Sequence, residues 1–526
     1  MESAQSRSSG RRMRMSVRDY IKENWKIFAG AGVCSILCFS FMLVNPGISI
    51  DEETWIQIEK PFAMWLVQGR WGIDIFNFLS MDQGRYAPVL WDILAIVSWN
   101  GAGIVFSYTI WGENAKGTPL FFFQAYFCSL PFVLGEMFSF SMFSFQIALG
   151  MLSTAAAFLY SVRGAVSKKK KDWITALAFL VFAFSVYQAY ICVYITAVAA
   201  YSLKVFLEQG ENPARRIASW AVICLLGIGI YYAVNLILMK LFATSSYLTD
   251  NYVGWFDEDG PFKALFMALA NIVRVTLAVP IAGEYIYGGE VIRIVTLAFG
   301  IFVIYRLIRS TGAGRRAGVL FYSLLLVMAP FALFLVLGTY KTHGRVLLGL
   351  PLAGGVEIYL ILSSFKRKAI ERAGIVAGAY LLFLNAKNMN ILFYSANVAY
   401  EHDRTVANQV MYDIKKLGYD YHSKPVVFLG MSEMDDVSLP VSDTVGSSVF
   451  AWDDGNIARM CNFIKTEGYK VLPPDAGQIE KALEYRAQMK TWPQEKSILE
   501  TDNMIVVYFS EPTDKWYTVN GAAAGQ

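Results

Sequence analysis

Long apolar stretches recur through most of this chain, and they constrain its fold more than any other feature. A helix that crosses the hydrocarbon core of a bilayer needs roughly 20 mainly apolar residues. Of the 526 residues, 55% are hydrophobic and only 17% are charged, whereas soluble proteins are about one quarter charged. We therefore predict a polytopic α-helical membrane protein with about eleven transmembrane helices. The predicted spans are residues 27–47, 87–111, 118–135, 142–162, 173–187, 189–207, 217–239, 288–308, 317–339, 346–363 and 373–395.

Basic residues between these stretches predict their orientation, because Lys and Arg collect in cytoplasmic loops. Residues 1–26 form a basic N-terminus that we place in the cytoplasm, followed by a transmembrane domain over 27–395. Counting spans from there puts four basic loops on the cytoplasmic side: 161–172, 207–216, 306–316 and 363–374. The outer side then receives loops 48–86, 240–287 and 340–345, together with the C-terminal region.

Two outer loops contain amphipathic stretches that predict helices lying on the membrane surface. Residues 263–282 are nearly long enough to span, but Lys263 and Arg274 interrupt them. In loop 48–86, a first surface helix is predicted to end at Gly69, and a short second one to follow. The apolar residues at helical spacing are Trp55, Ile58, Phe62, Trp65 and Leu66 in the first helix, and Ile73, Ile75, Phe76 and Leu79 in the second.

Residues 396–526 are polar and mixed in charge, which predicts a small α/β domain outside the membrane. The apolar residues of 403–418 and 457–469 favour helices. Residues 424–430 and 503–510 are rich in Val, Ile and Phe and favour strands.

Several classes of function are disfavoured by the sequence. The net charge of +4 gives no indication of nucleic-acid binding, and no GxxxxGK motif is present for a nucleotide-driven pump. The six cysteines and three histidines lack the spacing of a zinc or redox site. A divalent metal is compatible with the acidic residues described next, but the sequence does not require one.

Three consecutive acids, Asp51, Glu52 and Glu53, follow the first apolar stretch directly. They could be a solvated loop start or the N-terminus of a helix, which favours acidic side chains. They could also carry out chemistry at the membrane surface. Arg70 and Arg85 lie in the same loop, and a carboxylate with a guanidinium near one headgroup plane suits a phosphorylated lipid.

Other outer loops bring further polar groups to the same predicted plane. Asp92, Glu136 and Gln188 are candidate substrate-binding residues, although Asp92 is equally compatible with a structural partner inside its span. Lys341 and Arg345 join Arg70 and Arg85 as candidate ligands of a donor phosphate. Because neither ATP nor nucleotide sugars are available outside the cell, an activated donor there must be linked to a lipid.

The segments GISIDEETW, VQGRWGIDIFNFL and RYAPVLWDILAIVSW resemble the opening of the Gtr type II glucosyltransferases. LPFVLGEMFSFSMFSFQIALG and AFLVFAFSVYQAYICVYI resemble their next spans, so that the likeness covers about residues 40–210, with a weaker echo in GRVLLGLPLAGG. The resemblance implies a GT-C-like fold in a bacterial plasma membrane. It also implies a polyprenyl-phosphate sugar donor, typically undecaprenyl-phosphate glucose, and a cell-surface polysaccharide as acceptor. Asp51 and Glu52 match the acidic position that serves as the catalytic base in such enzymes.

Two other functions remain open at this point. A transporter or flippase of lipid-linked glycans needs polar residues near the bilayer midplane, and Asp92 is the main candidate here. A non-enzymatic scaffold would use residues 396–526 to bind a wall polymer. The convergence of polar residues on one plane favours the glycosyltransferase.

Overall fold

The computed structural model describes residues 15–57, 65–80, 86–242, 260–280, 286–337, 343–435 and 438–521. Two groups of residues make most of their contacts among themselves. The first unit comprises Met1–Ser40, Pro61–Asp82 and Val89–Asn390. The second unit comprises Phe41–Lys60, Gln83–Pro88 and Ile391–Gln526. Arg85 and Lys341 lie outside the described residues.

The first unit is helical. Its α-helices are Val17–Cys38, Trp71–Leu79, Pro88–Trp111, Gly117–Phe127, Pro131–Phe138, Ser144–Ser167, Lys170–Val186, Tyr190–Gln209, Ala214–Leu241, Gly260–Leu277, Gly289–Arg309, Ala313–Met328, Ala332–Leu337 and Leu350–Ser363. Short 3₁₀ turns occur at Leu66–Gln68, Gly112–Asn114, Ala329–Phe331 and Gly344–Val346. Two more helices, Ser40–Val44 and Lys368–Lys416, contribute residues to both units, and Pro88, the first residue of Pro88–Trp111, belongs to the second unit.

In the described part of the chain, eight helices are long and apolar enough to cross a membrane, or nine if one bent pair counts as a span. This confirms a polytopic helical membrane protein, whereas the predicted number of eleven spans is not confirmed. The eight are Pro88–Asn114, Ser144–Ser167, Tyr190–Gln209, Ala214–Leu241, Gly260–Leu277, Gly289–Arg309, Ala313–Leu335 and Lys368–Lys416.

Two predicted spans differ from single straight helices. The predicted span 118–135 is a pair of helices, Gly117–Phe127 and Pro131–Phe138, bent by 47°. Pro131 explains the bend, because proline has no amide hydrogen and disfavours helical geometry in the residue before it. The predicted span 27–47 starts earlier, at Val17, and is interrupted at Phe39. The boundary predicted after residue 26 therefore lies inside a continuous helix.

The helix Gly260–Leu277 contains most of the segment predicted to lie on the outer surface. Its length and composition are those of a span. Arg274 and Asn271 are buried inside the first unit, while Phe262 and Phe266 are exposed. The buried side of this helix thus holds these two polar residues among small and apolar ones. Its exposed side is apolar apart from Lys263, which suits contact with lipid.

A three-stranded sheet forms the centre of the second unit. Its strands are β1 (Val426–Leu429), β2 (Ile498–Glu500) and β3 (Ile505–Tyr508), in the order β1–β3–β2. β1 pairs with β3 in parallel and β2 pairs with β3 antiparallel. The helices Glu52–Gln57, Ile457–Thr466, Ala476–Tyr485 and Asp514–Asn520 and the 3₁₀ turns Trp452–Asp454 and Arg486–Gln488 complete the unit.

Both predicted strands and the predicted helix at 457–469 are present, whereas β2 was not anticipated. The two helices predicted at 373–395 and 403–418 are parts of one helix, Lys368–Lys416. Ile50, which precedes the acidic triplet, is buried in the same apolar core as Phe428, Phe463 and Val507. This burial fixes the backbone of the triplet to the second unit.

Candidate active site

The acidic triplet lies where a turn enters the helix Glu52–Gln57. Glu52 and Glu53 occupy the first turn of this helix, where the helix dipole favours negative charge. Asp51 has a φ of 80°, a left-handed conformation that Asp tolerates better than most residues. The side chain of Asp51 is 49% exposed, whereas Glu52 and Glu53 are completely buried. Only Asp51 among the three is open to a substrate.

Glu52 is held by groups close to it in the second unit. Its carboxylate accepts hydrogen bonds from the backbone amide of Ser49 and from the hydroxyl of Tyr86, each at 3.0 Å. The bond back to Ser49 fixes the entry of the chain into the helix, as in a capping arrangement. Of the two predicted bases, Glu52 is therefore the one whose carboxylate stabilises the local fold.

A single arginine connects the other two acids. Arg459 donates from Nη2 to Asp51 and from Nη1 to Glu53, each at 2.6 Å. Burial raises the pKa of the Glu53 carboxyl, and the Arg459 guanidinium opposes this shift. Burial would lower the pKa of Arg459, but Glu53 and Asp51 outweigh it and raise that pKa. The Glu53 carboxyl thus lies in the first turn of the helix and is also half of a buried ion pair.

In the first unit, Glu136 and Arg345 are brought together as predicted candidates of one site. The backbone amide of Arg345 donates to the Glu136 carboxylate at 3.0 Å. The Arg345 guanidinium lies 5.6 Å from the centre of the Phe140 ring, a cation–π distance. The two residues together place a cation and a carboxylate beside the 3₁₀ turn Gly344–Val346.

Arg70 and Gln188 form a second cluster in the first unit. The Arg70 guanidinium lies 4.6 Å from the Tyr187 ring centre. The side-chain amide of Gln188 donates to the carbonyl of Gln68 at 3.0 Å and to the hydroxyl of Tyr231 at 2.7 Å. Both amide hydrogens of Gln188 are therefore used within the protein, which indicates that Gln188 fixes the turn before Arg70.

Asp92 has two protein partners. Its carboxylate oxygens accept hydrogen bonds from the hydroxyls of Ser141 and Ser144, both at 2.8 Å, and the residue is 2% exposed. These two hydrogen bonds offset part of the free-energy cost of burying the carboxylate. The geometry favours the structural alternative for Asp92 over substrate binding.

No group of three or more His, Cys, Asp or Glu side chains within the described residues is arranged to hold a metal ion. The Asp51 and Glu53 carboxylates are instead paired with a cation of the protein itself, Arg459.

A family model described as Glucosyl transferase GtrII matches residues 40–353. The chain belongs to this family. No curated protein and no solved structure matches the chain. Together with the apolar helices, GtrII membership establishes a membrane glycosyltransferase whose surroundings are a lipid bilayer and whose substrates are sugars.

The GtrII match includes every site residue predicted from the sequence, but it stops far short of Arg459. Sequence reasoning missed Arg459 because 408 positions separate it from Asp51. It also missed Asp74, whose carboxylate accepts from the backbone amide of Trp65 at 3.1 Å. A further buried acid, Glu357, lines a small cavity with Tyr126. A charged residue inside an apolar run was the available signal for Glu357.

Proposed function

We propose that this GtrII protein transfers glucose from a polyprenyl-phosphate donor to a cell-surface glycan, at the outer face of a bacterial plasma membrane and with inversion at the anomeric carbon. The name of the family supports glucose as the sugar. The distribution of basic loops supports a cytoplasmic N-terminus and an outer location for residues 396–526. The family match favours an enzyme over the transporter and the scaffold.

The acidic triplet is the observation that carries the proposal. It lies inside the range matched by the family, and one of its three carboxylates is exposed while its two neighbours are buried. A general base must reach the hydroxyl from which it takes a proton. Exposure therefore favours Asp51 over Glu52 as the base.

The reaction follows from these assignments. The acceptor hydroxyl oxygen attacks the anomeric carbon while its proton passes to the Asp51 carboxylate. The bond from the anomeric carbon to the phosphate oxygen breaks, and its electron pair leaves with the polyprenyl phosphate. Attack opposite the leaving group inverts the configuration of the sugar.

The negative charge that develops on the leaving phosphate requires cations. Arg70, Arg85, Lys341 and Arg345 are the proposed donor phosphate ligands, and such electrostatic contacts contribute roughly 10²- to 10³-fold each in comparable enzymes. Glu136, beside Arg345, is proposed to contact the substrate or to orient the arginine. Asp92 and Gln188 remain candidate substrate ligands, although their observed bonds are to protein groups.

The test uses the full-length protein purified in detergent, radiolabelled undecaprenyl-phosphate glucose, and polysaccharide extracted from cells that lack the protein. We expect label to enter the polysaccharide. Asp51→Asn should slow transfer by about 10²- to 10⁴-fold, the usual range for loss of a general base. The exposed Asp502 provides a matched control, and Asp502→Asn should retain the wild-type rate.

Different results would contradict different parts of the proposal. Folded wild-type protein that transfers no label would contradict the reaction. Full transfer by Asp51→Asn would contradict only the assignment of Asp51 as the base. Because detergent leaves no compartments, a transporter would show no transfer in this assay.

A further inference from the structure

We propose that Arg459 is the positioning residue of the acidic triplet: it holds Asp51 in the orientation of the base by anchoring it, through one guanidinium, to the buried Glu53. This inference rests on the proposed function, because it assigns Arg459 to the step in which Asp51 accepts the acceptor proton. It extends the site to a residue outside the range matched by the GtrII family.

Arg459 binds two carboxylates, Asp51 and Glu53, through the two terminal nitrogens of its guanidinium, and we call these three residues the clamp. Nη1 donates to Glu53 and Nη2 donates to Asp51, both at 2.6 Å. A guanidinium is planar and rigid, so two bonded carboxylates are held at a fixed separation. Glu53 is fully buried and Asp51 is 49% exposed. The bond to Glu53 therefore lies in the protein interior, whereas the bond to Asp51 lies at the surface.

The backbone that carries Arg459 is itself fixed. Arg459 lies in the first turn of the helix Ile457–Thr466, where its amide donates to the N-cap side chain of Asn456 at 3.3 Å. Its neighbours Met460 and Cys461 are completely buried in the core of the second unit. The clamp thus starts from a rigid element, as accurate positioning requires.

A further contact ties the same two helices together. Asn462, three residues after Arg459, donates to the hydroxyl of Thr54 at 3.3 Å. Asn462 and Arg459 thus bind three of the four residues from Asp51 to Thr54, namely Asp51, Glu53 and Thr54. Movement of one helix would therefore displace the exposed carboxylate.

The burial of Glu53 makes its contact with Arg459 important for stability. A buried carboxylate without a cation is costly, and Glu53 Oε2 has no hydrogen-bond partner among the described residues. Burial raises the pKa of Glu53, and the charge of Arg459 opposes that shift. Removal of Arg459 would therefore leave the Glu53 carboxylate buried without the charge that opposes the cost of its burial.

Other ionisable groups surround the clamp in the second unit. Asp453 lies 3.9 Å from Arg459 Nε, and Lys515 lies 3.4 Å from Asp453. Within the triplet, Glu52 accepts a hydrogen bond from Tyr86, and the charge of Glu53 also acts on Asp403 in the long helix. Most of these groups are acids, so the removal of Arg459 leaves the triplet with an excess of negative charge.

Arg459→Gln is the main test variant. Without the cation, the carboxylates of Asp51 and Glu53 repel each other, which favours the protonated form of either one. The acidic limb of the profile of kcat against pH should move to higher pH accordingly. Because a displaced base affects the chemical step, kcat should fall by about 10²-fold, with donor KM changed by less than about 3-fold.

Two further variants separate positioning from stability. Arg459→Lys keeps the positive charge but cannot bind Asp51 and Glu53 with the fixed geometry of a guanidinium. The acidic limb of its kcat profile should therefore lie at the wild-type pH, while its kcat stays low. Arg404→Gln is the matched control, since Arg404 pairs with Glu467 and Glu401 on an exposed face of the second unit. It should keep the wild-type kcat, KM and pH profile.

The assay uses full-length protein in detergent with the radiolabelled undecaprenyl-phosphate glucose donor, and thermal unfolding gives the folded fraction. In parallel, a water-soluble carbodiimide modifies protonated carboxyl groups, and peptide mass spectrometry gives the pH midpoint for Asp51. This midpoint should rise in Arg459→Gln. If both the acidic limb and the Asp51 midpoint are unchanged in this variant, the positioning role is wrong.

A loss of kcat that only follows the loss of folded protein, with the same midpoint, would likewise overturn the inference and leave Arg459 as a structural ion pair. If the wild type transfers no label but the midpoint shifts as expected, the proposed function fails and the hold of Arg459 on Asp51 is upheld.

Discussion

The backbone amide of Arg345 donates a hydrogen bond to the carboxylate of Glu136 at 3.0 Å, across 209 residues of chain. Two residues that the sequence identified separately are therefore neighbours. Their approach depends on Gly344: a Cβ there would lie 1.8 Å from the carbonyl oxygen of Phe132. The absence of a side chain at this position lets the turn reach the helix that carries Glu136.

Gly344→Ala should displace this turn and with it Arg345. Overpacking of this kind costs about 1 to 3 kcal/mol, so the thermal midpoint should fall and the donor KM should rise. Gly300 in the helix Gly289–Arg309 is the control, because a Cβ there meets no atom within 4 Å. A Gly344→Ala protein with wild-type midpoint and KM would contradict this account.

Asp92→Asn should reduce stability more than catalysis. Asparagine offers one acceptor oxygen in place of two, so one of Ser141 and Ser144 loses its partner; we expect a loss of about 1 to 3 kcal/mol. Thermal unfolding and donor kinetics measure the two effects, with the exposed Glu113→Gln as control. Lost transfer at an unchanged midpoint would instead establish Asp92 as a substrate ligand.

Tyr231→Phe should loosen the turn before Arg70. The hydroxyl of Tyr231 accepts from Gln188 and donates to the carbonyl of Gly69 at 2.9 Å, and its loss should cost about 1 kcal/mol. The adjacent Tyr232 is exposed, so Tyr232→Phe is the matched control in the same thermal assay. Equal midpoints for the two variants would argue against the anchoring role of Tyr231.

Asp74 should make stability depend on pH. Burial, partly offset by the backbone amides of Trp65 and Leu66, raises the pKa of Asp74 to about 7, whereas an unfolded Asp titrates at about 4. The folded protein binds this proton more tightly, so its contribution to stability is present below about pH 4 and is lost as the pH rises to about 7.

Asp74→Asn resembles the protonated form and should remove this dependence. The thermal midpoint of the variant, relative to that of the wild type, should therefore rise across the same pH range and stay constant above it. Parallel curves for the two proteins between about pH 4 and pH 7 would show that the shift of Asp74 is absent.

Local sequence patterns predicted a helix or strand well where that element coincides with a single apolar stretch of the sequence. Tyr190–Gln209 was predicted at 189–207, and β1 was predicted at 424–430. The bend at Pro131 was not predicted, although proline is a local signal for it. The continuous helix Lys368–Lys416 was not predicted because it depends on how an apolar run and a polar run join. β2 has only three residues, and so short a strand forms through its pairing with β3 rather than through its own composition.

The positions of the candidate site residues were predictable, but their partners were not. Glu136 and Arg345 were expected on one plane and are in contact. Gln188 was expected at a substrate, and Asp92 either at a substrate or at a structural partner. Both bond to protein groups. Charges at the ends of apolar runs are visible in the sequence, whereas a hydrogen bond to a distant helix leaves no local pattern.

By itself, the sequence determined that the chain is a polytopic helical membrane protein and that three acids follow its first apolar stretch, because hydrophobicity and charge are properties of neighbouring residues. The tertiary structure alone decided that Asp51 is exposed, that Glu52 and Glu53 are buried, and that Arg459 joins Asp51 to Glu53. Burial and ion pairing arise from residues that meet only when the chain is folded, here over 406 positions between Glu53 and Arg459.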